Sequence, residues 1–374
     1  MKINTITCHD VYNYGASLQA YALQFYLENQ GYEYQIIDYK PWYLSQKYQF
    51  TKINRSNKRY GIYSNLGVFK PLFALLLNRK HLKFWKRKQR FDLFKANYLH
   101  CTPNIYHTNE ELASLPPVDV YITGSDQVWN TDLQNGRDRA FYLEFAPNDA
   151  IKISYAASFG ISKVNDEYVE LVKHGLKRLN WVSIREITGI SIVQSLGIKA
   201  EWVMDPVFLL SAAEWLKICD CSHRSCEEYI FLYYLGKKSD ALELFVKRLA
   251  KEKGLKIYSI NDGKHLEFAD KNIDNAGPIE FIEYLSNASV VVSTSFHATA
   301  FSLIFNKPFY VFPIQGQNNQ SRMHDLLLSV GLENRFVESP DKEISDIDFS
   351  KADEKMYKYT ELSKQKLLQQ LIQK

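Results

Sequence analysis

His297 is the residue of this chain best placed to do proton chemistry on an anion. It lies in Ser289–Pro313, which reads SVVVSTSFHATAFSLIFNKPFYVFP. Val290–Val292 is a β-branched apolar run that suits a buried parallel strand. Ser293-Thr294-Ser295 then offers hydroxyls of the kind that cap a helix. Phe296, Ala300, Leu303 and Ile304 recur at helical spacing until Asn306-Lys307-Pro308 ends the pattern. His297 is therefore expected in the first turn of a helix, just past the carboxyl end of a strand. Free N–H groups and the helix dipole favour an anion there, and open α/β sheets bind their ligands at that end.

Other polar residues fall at strand ends in the same way. Asp119–Ile122 reads as a strand running into Gly124-Ser125-Asp126-Gln127-Val128-Trp129-Asn130, with Gly124 permitting a tight turn. Val182–Ile184 delivers Arg185-Glu186, and Glu201–Val203 leads to Met204-Asp205-Pro206. Ile3–Thr7, a loop holding Asn13-Tyr14-Gly15, a helix to about Glu28 and a strand at Tyr34–Tyr39 make a βαβ opening. Right-handed crossover puts that loop on the ligand side. Arg322 follows the polar loop Gln315–Ser321 and opens a helix over Met323–Val330, which suits contact with an anion.

The elements that must hold these residues alternate strand and helix twice over. Ile153–Ala157 is a further strand, Glu167–Leu179 a helix, and Thr188 is expected to cap the next helix to Leu196. After Pro206 and a polar stretch to Glu228, a second series runs through Tyr229–Tyr234, a helix at Ser239–Glu252, Lys256–Ile260 and a helix at Pro278–Ser286. An amphipathic helix over about Asp353–Gln373 closes the chain. The expected class is α/β, with two doubly wound Rossmann-like domains facing a cleft and a C-terminal helix. The expected boundaries are 1–206, 207–345 and 346–374, with a basic insertion at about 45–98. The first domain is the expected acceptor side and the second the donor side.

Composition bounds the rest. The chain's 374 residues suit two domains, and 46% hydrophobic with 24% charged residues describes a globular protein. A net charge of +4 sets up no global field that demands nucleic acid. Met1–Thr7 lacks the features of a signal peptide, and no apolar run approaches the ~20 residues of a membrane span; a cytoplasmic location is expected. Five well-spread cysteines do not form a secreted disulfide framework. Cys219, Cys221, His223 and Cys226 lie close together, but structural zinc draws its second ligand pair from further away; no metal is expected. Arg79–Lys95 interleaves eight basic residues and Trp85, Phe84, Phe91 and Phe94 with a lone Asp92. It reads as a solvated helix with a core-facing aromatic stripe or as a segment resting on an anionic membrane surface; RNA binding is a third and weaker reading, since no recognised nucleic-acid module accompanies the charges.

Three stretches together resemble the polysaccharide pyruvyltransferase family. They are Asn13–Leu23 (NYGASLQAYAL), Gly124–Asn130 (GSDQVWN) and Ser295–Ser302 (SFHATAFS), with weaker echoes at Ser183–Glu186, Met204–Pro206, Gly277-Pro278 and Arg322. They keep the family's order over most of the chain. The resemblance implies a fold like the two-domain GT-B glycosyltransferases, with the site in the interdomain cleft. It implies phosphoenolpyruvate as co-substrate, no cofactor, and a sugar or lipid-linked oligosaccharide acceptor of a cell-surface polysaccharide, worked on at the inner membrane face. His297 matches the motif histidine and is the expected general acid or charge stabiliser. Asp126 is the expected catalytic partner, accepting the hydroxyl proton or orienting the sugar. Arg185 and Arg322 are the expected anion ligands, with Ser295, Asn13, Gly15, Ser125 and Gln127 lining the substrate. Relatives carry Arg-Leu-His where this chain has Ser295-Phe296-His297, so donor binding is expected to lean on Arg185 and Arg322. Two other classes stay open: a GT-B enzyme using a nucleotide sugar, and a non-catalytic glycan-binding protein.

Overall fold

The computed structural model describes residues 1–53, 58–219, 227–237, 239–261, 265–315 and 321–372. Cys221, His223 and Cys226 of the cysteine cluster, and most of the loop before Arg322, lie outside the described residues.

Two five-stranded parallel sheets form the frame. In the first, β1 (Lys2–Ile6), β2 (Glu33–Tyr39), β3 (Cys101–Tyr106), β4 (Val120–Thr123) and β5 (Ile151–Ser154) stand in the order 3-2-1-4-5. The short pair β6 (Ser183–Ile184) and β7 (Glu201–Trp202) continues it through single bridges from Ile153 to Trp181 and from Ala157 to Ile184. The second sheet takes β8 (Tyr229–Tyr233), β9 (Lys256–Ile260), β10 (Lys271–Ile273), β11 (Val290–Ser293) and β12 (Phe309–Val311) in the order 10-9-8-11-12. The inner strands are buried on both faces, as parallel strands covered by crossover helices must be. β11 shows it: Val290, Val291 and Val292 are all buried, each worth about 1.5–3 kcal/mol relative to exposure.

The expected two-fold α/β alternation is present. Two strands were not legible in the sequence. Cys101–Tyr106 carries Pro103 and an exposed centre at the sheet edge, where a missing N–H is tolerated. Lys271–Ile273 is three residues long with only Ile273 buried. Thr188 does not cap a helix as expected. The helix Ile187–Ser195 starts after Glu186, and Thr188 donates from N and Oγ1 to Asp325 of the Ser321–Val330 helix, at 2.9 and 3.0 Å.

The halves are packed into one continuous core. Tyr14 stacks on Phe281 at 4.4 Å and donates to the Ala276 carbonyl at 3.1 Å, while Trp215 lies between Tyr21 and Phe301. The last helix, Ser350–Ile372, runs back to the first half. Its Ser363 Oγ accepts from the Met204 N–H at 2.9 Å, and Lys366 pairs with Glu201 at 2.8 Å.

The insertion is helical, with Lys70–Leu77 and Trp85–Tyr98 as its main helices. Much of the basic segment faces the protein. Arg87 is buried and donates to Tyr48 Oη at 3.0 Å and to the Tyr12 carbonyl at 3.1 Å. Arg90 pairs with Glu280 at 3.0 Å, Lys88 with Asp92, and Lys95 with Asp38. Phe91 and Phe94 are the core-facing stripe. Among the described residues no helix is long and apolar enough to cross a membrane.

Candidate active site

The carboxyl ends of β4, β6, β7 and β11 converge on one cluster of charged side chains. From β11 the chain passes through Thr294 and Ser295 into the helix Phe296–Ile304. Ser295 is its N-cap, its Oγ accepting from the Ala298 N–H at 3.5 Å, so its side chain is spent on the helix. His297 follows in the first turn and is buried. From β4 the chain turns through Gly124, whose φ of +112° and whose position suit glycine alone, since a Cβ would lie 2.4 Å from the Tyr155 carbonyl oxygen. That turn delivers Ser125 and Asp126.

Asp205 is the hub. Its Oδ2 lies 2.9 Å from Arg185 Nη1, 3.0 Å from Ser125 Oγ and 3.7 Å from His297 Nε2. Its Oδ1 accepts from the Val207 N–H at 3.1 Å, which pins the carboxylate to the turn after β7. Arg185 also reaches Asp126 Oδ1 at 3.3 Å, and its guanidinium lies 4.3 Å from the ring centre of Phe296. Glu186 sits beside it with Oε1 accepting from Ser158 Oγ and from the Phe159 and Gly160 N–H groups. Arg322 enters from the other half of the molecule and acts electrostatically on His297, Asp126 and Arg185.

The electrostatics are those of a site built for an anion. Burial, reinforced by the Arg185 charge, pushes the Arg322 guanidinium down to about 10 despite Asp126, Glu186 and Asp205. Burial also holds His297 below the ordinary imidazole value; Asp205 and Asp126 oppose that, while Arg185 and Arg322 add to it. Burial would raise Asp126, but Arg185, His297 and Arg322 outweigh it and hold the carboxyl low. Asp205, Asp126 and Glu186 lift Arg185 against burial. Four buried atoms of the cluster, Arg185 Nε, Arg322 Nε, His297 Nε2 and Glu186 Oε2, have no hydrogen-bond partner among the described residues. Arg185 Nε faces Glu186 Oε2 at 4.0 Å and His297 Nε2 faces Asp205 Oδ2 at 3.7 Å, both beyond hydrogen-bond reach. Buried polar groups are ordinarily hydrogen-bonded, so this loosely paired cluster with Arg322 Nε marks a polar ligand site.

The structure thus brings together His297, Asp126, Arg185, Arg322 and Ser125. Gly15 joins them by packing directly on the His297 ring. Asn13 lies near but acts as N-cap of the helix Tyr14–Asn29, its Oδ1 accepting from the Ala16 N–H at 3.2 Å. Gln127 is tied into its own loop, accepting from Asn130 Nδ2 at 2.7 Å. Trp129 is fully buried against Tyr142 and Phe159, which makes it packing. Sequence reasoning passed over Asp205 and Glu186 as site residues. The signal for Asp205 was its place at a strand end before a proline, as in a capped turn.

A second buried polar group, His9, Asp38 and Cys101, has ligand atoms close enough for a metal. It already holds a cation: Lys95 Nζ lies 2.7 and 2.8 Å from the two Asp38 oxygens. Burial would lower His9, but the Asp38 hydrogen bond and its companions raise it to about 9, so it is a second cation on that carboxylate. His324 packs on Phe336.

Among solved structures, UDP-GlcNAc 2-epimerase of Methanocaldococcus jannaschii in complex with UDP-GlcNAc and UDP matches over 97% of this chain and 92% of its own, with a TM-score of 0.50 and 11% identity. The S. aureus MnaA–UDP structure matches over 97% and 90%, at 0.47 and 11%. The spinosyn rhamnosyltransferase SpnG matches over 98% and 95%, at 0.42 and 11%. The likeness to the Methanocaldococcus jannaschii epimerase speaks to the fold alone, which is of the GT-B type. None of the curated proteins compared matches the chain. The model of the polysaccharide pyruvyl transferase family matches residues 13–316, a span running from the N-cap of the first helix past His297. With that span and a histidine–arginine–carboxylate cluster between its two sheets, the chain belongs to the polysaccharide pyruvyl transferase family, a family of transferases.

Proposed function

We propose that this transferase moves a pyruvyl group from phosphoenolpyruvate to two hydroxyls of one sugar, giving a cyclic ketal and phosphate. The observation that carries the reading is Arg322, a half-buried arginine whose Nε is buried and unpaired, held beside a second arginine from the other half of the molecule. Phosphoenolpyruvate bears a carboxylate and a phosphate, and two arginines near a helix N-terminus match both.

A proton is added to the enol methylene, which becomes the methyl group, and the first sugar hydroxyl oxygen bonds to the adjacent carbon. The carbon–oxygen bond to phosphate breaks, and the second hydroxyl oxygen closes the ketal. Of the two hydroxyl protons, one balances the proton taken up by the methylene and the other leaves with phosphate or solvent. His297 is neutral in the free protein, since burial holds it low. A multiply charged anion between Arg185 and Arg322 raises it, so it gains its proton as donor binds and gives that proton to the methylene. Asp126, held low by Arg185, is a weak base. Its part is to orient the acceptor and fix Arg185.

The acceptor is a sugar, free or lipid-linked, of an exopolysaccharide or other cell-envelope glycan, and the work is done on the cytoplasmic side. Titration calorimetry with phosphoenolpyruvate on the wild type and on Arg322→Ala tests the donor. Binding by the wild type and its loss in a folded Arg322→Ala supports the reading. Indifference of both proteins to phosphoenolpyruvate, with heat evolved on adding a sugar nucleotide, favours a nucleotide-sugar donor instead.

A further inference from the structure

Between Asp38 and Asp92 the sequence holds fourteen lysines and arginines and no aspartate or glutamate, in a chain whose net charge is only +4. Several of those charges are turned inward, as Arg87 and Arg90 show. Arg79, Lys80 and Lys86 are exposed. Just before them in the chain, the structure leaves an apolar face exposed. Val68, Phe69, Leu72 and Leu76 are 87%, 65%, 57% and 63% exposed. Phe69, Leu72 and Leu76 are three and four residues apart, so on the helix Lys70–Leu77 and its lead-in they form one stripe. The same helix packs by Leu75 against the small core of Tyr48, Phe50 and Phe84, and buries Ala74. It is apolar on both sides, with one side spent on the fold and the other on water.

We propose that this face is a docking surface for an anionic lipid bilayer, with the Phe69–Leu76 stripe entering the headgroup boundary and the surrounding lysines and arginines meeting the lipid charge. A contiguous apolar stripe at the surface marks an interaction site, and an apolar face rimmed by cations is the pattern of interfacial helices. Nucleic acid would satisfy the charges and leave three aliphatic side chains in water. A second copy of the chain would set like charge against like. The docking helix is not the whole Arg79–Lys95 segment that charge in the sequence singles out; it lies one helix earlier, where the apolar side chains are exposed.

The face is coupled to the active site. Tyr48 of its underlying core stacks on Tyr12 at 4.1 Å, and Arg87 holds the Tyr12 carbonyl. Three residues on, Gly15 touches His297. Tyr12, and Leu75 of the docking helix, pack on that same small core, so the face and the loop that leads to Gly15 share one support. Delivery of a lipid-borne acceptor by that route rests on the function proposed above; the docking itself does not.

Sedimentation with phosphatidylcholine vesicles, plain or containing about 30% phosphatidylglycerol, tests this at low and high salt. Two variants accompany the wild type: Phe69→Ser/Leu72→Ser/Leu76→Ser, and Arg79→Ser/Lys80→Ser/Lys86→Ser, each checked for an unchanged melting curve. The wild type is expected to prefer the anionic vesicles by about tenfold or more, with salt weakening the preference, and each variant to lose about fivefold or more. Absence of wild-type binding, or binding that both variants retain, overturns the proposal. So does a wild type that ignores vesicles but binds RNA, or one that self-associates until Leu72→Glu is introduced. Phosphoenolpyruvate calorimetry on the same variants should be unchanged, so failure of docking and failure of the donor reading register separately.

Discussion

Gly15 and His297 are in direct contact across the two halves of the molecule: a Cβ built on Gly15 would lie 1.9 Å from His297 Nδ1 and 2.2 Å from its Cγ. The first helix of one half is thus the floor on which the imidazole of the other half rests. Since backbone and ring cannot both stay where they are, Gly15→Ala must displace the ring or part the halves. Activity is expected to fall by about a hundredfold, as misplacement of a reacting group by about 1 Å does. Donor binding measured by calorimetry separates the two outcomes: it changes little if only the ring moves, and falls if the halves part, since Arg185 and Arg322 come from different halves. Full activity in Gly15→Ala would show that the histidine need not sit where it is.

His297 gives a stability signature independent of turnover. Its folded-state value lies below the ordinary one, burial being the first cause, so the unfolded chain binds the proton more readily. The contribution is fully present above about pH 6.5, the unfolded imidazole value, and is lost as pH falls through the folded value. His297→Gln should remove that dependence and lie flatter in acid. Denaturant midpoints across about pH 4.5–7.5 read it directly, and parallel curves would contradict a depressed histidine. Added phosphoenolpyruvate should shrink the wild-type slope, since a bound anion raises the imidazole.

Asp205 is the residue whose loss should cost most. It accepts from Arg185 at 2.9 Å, lies 3.0 Å from Ser125 Oγ, and holds the Val207 N–H. Asp205→Asn removes the charge from a fully buried ion pair, a change that costs about 3–5 kcal/mol where nothing else compensates. Arg185 keeps Asp126 at 3.3 Å, so the low end, about 3 kcal/mol, is expected. Urea unfolding measures it. A loss under about 1 kcal/mol would mean that Arg185 is held by Asp126 and the Phe296 ring.

The legible parts of this chain were those where local pattern and final environment agree. Val290–Val292 followed by three hydroxyl residues gave both the strand and the capped helix, and so the place of His297. Asp126 and Arg185 were legible as strand-end residues; that Arg185 pairs with both Asp126 and Asp205 was not, because those partners lie 59 and 20 residues from it along the chain. Asn13 shows the opposite limit. Its type suits a cap as well as a ligand, and only the 3.2 Å bond to Ala16 N reveals the cap. The basic segment misled for a related reason: charge density reads as surface, yet Arg87 is buried because four oxygens and two rings surround its guanidinium.

Arg87 and Arg79, eight residues apart in that segment, should therefore behave as different kinds of residue. Arg87 donates to Tyr48 Oη at 3.0 Å and to the Tyr12 and Ala276 carbonyls at 3.1 and 3.4 Å, and its guanidinium lies 4.4 Å from the centre of the Tyr14 ring. It joins the insertion, the first-helix loop and the second half at a single point. Arg87→Ala removes the packing of the stem as well as the charge and leaves two carbonyls with fewer donors, for an expected loss of about 2–3 kcal/mol. Arg79 is exposed, so Arg79→Ala should stay within about 0.5 kcal/mol of the wild type. Because Arg87 bridges to Ala276, its loss should also loosen the two halves. Amide exchange in Tyr12–Gly15 ought to speed up in Arg87→Ala and stay unchanged in Arg79→Ala. Equal behaviour of the two variants would return all the charges of the segment to the solvent, leaving only its aromatic stripe facing the core.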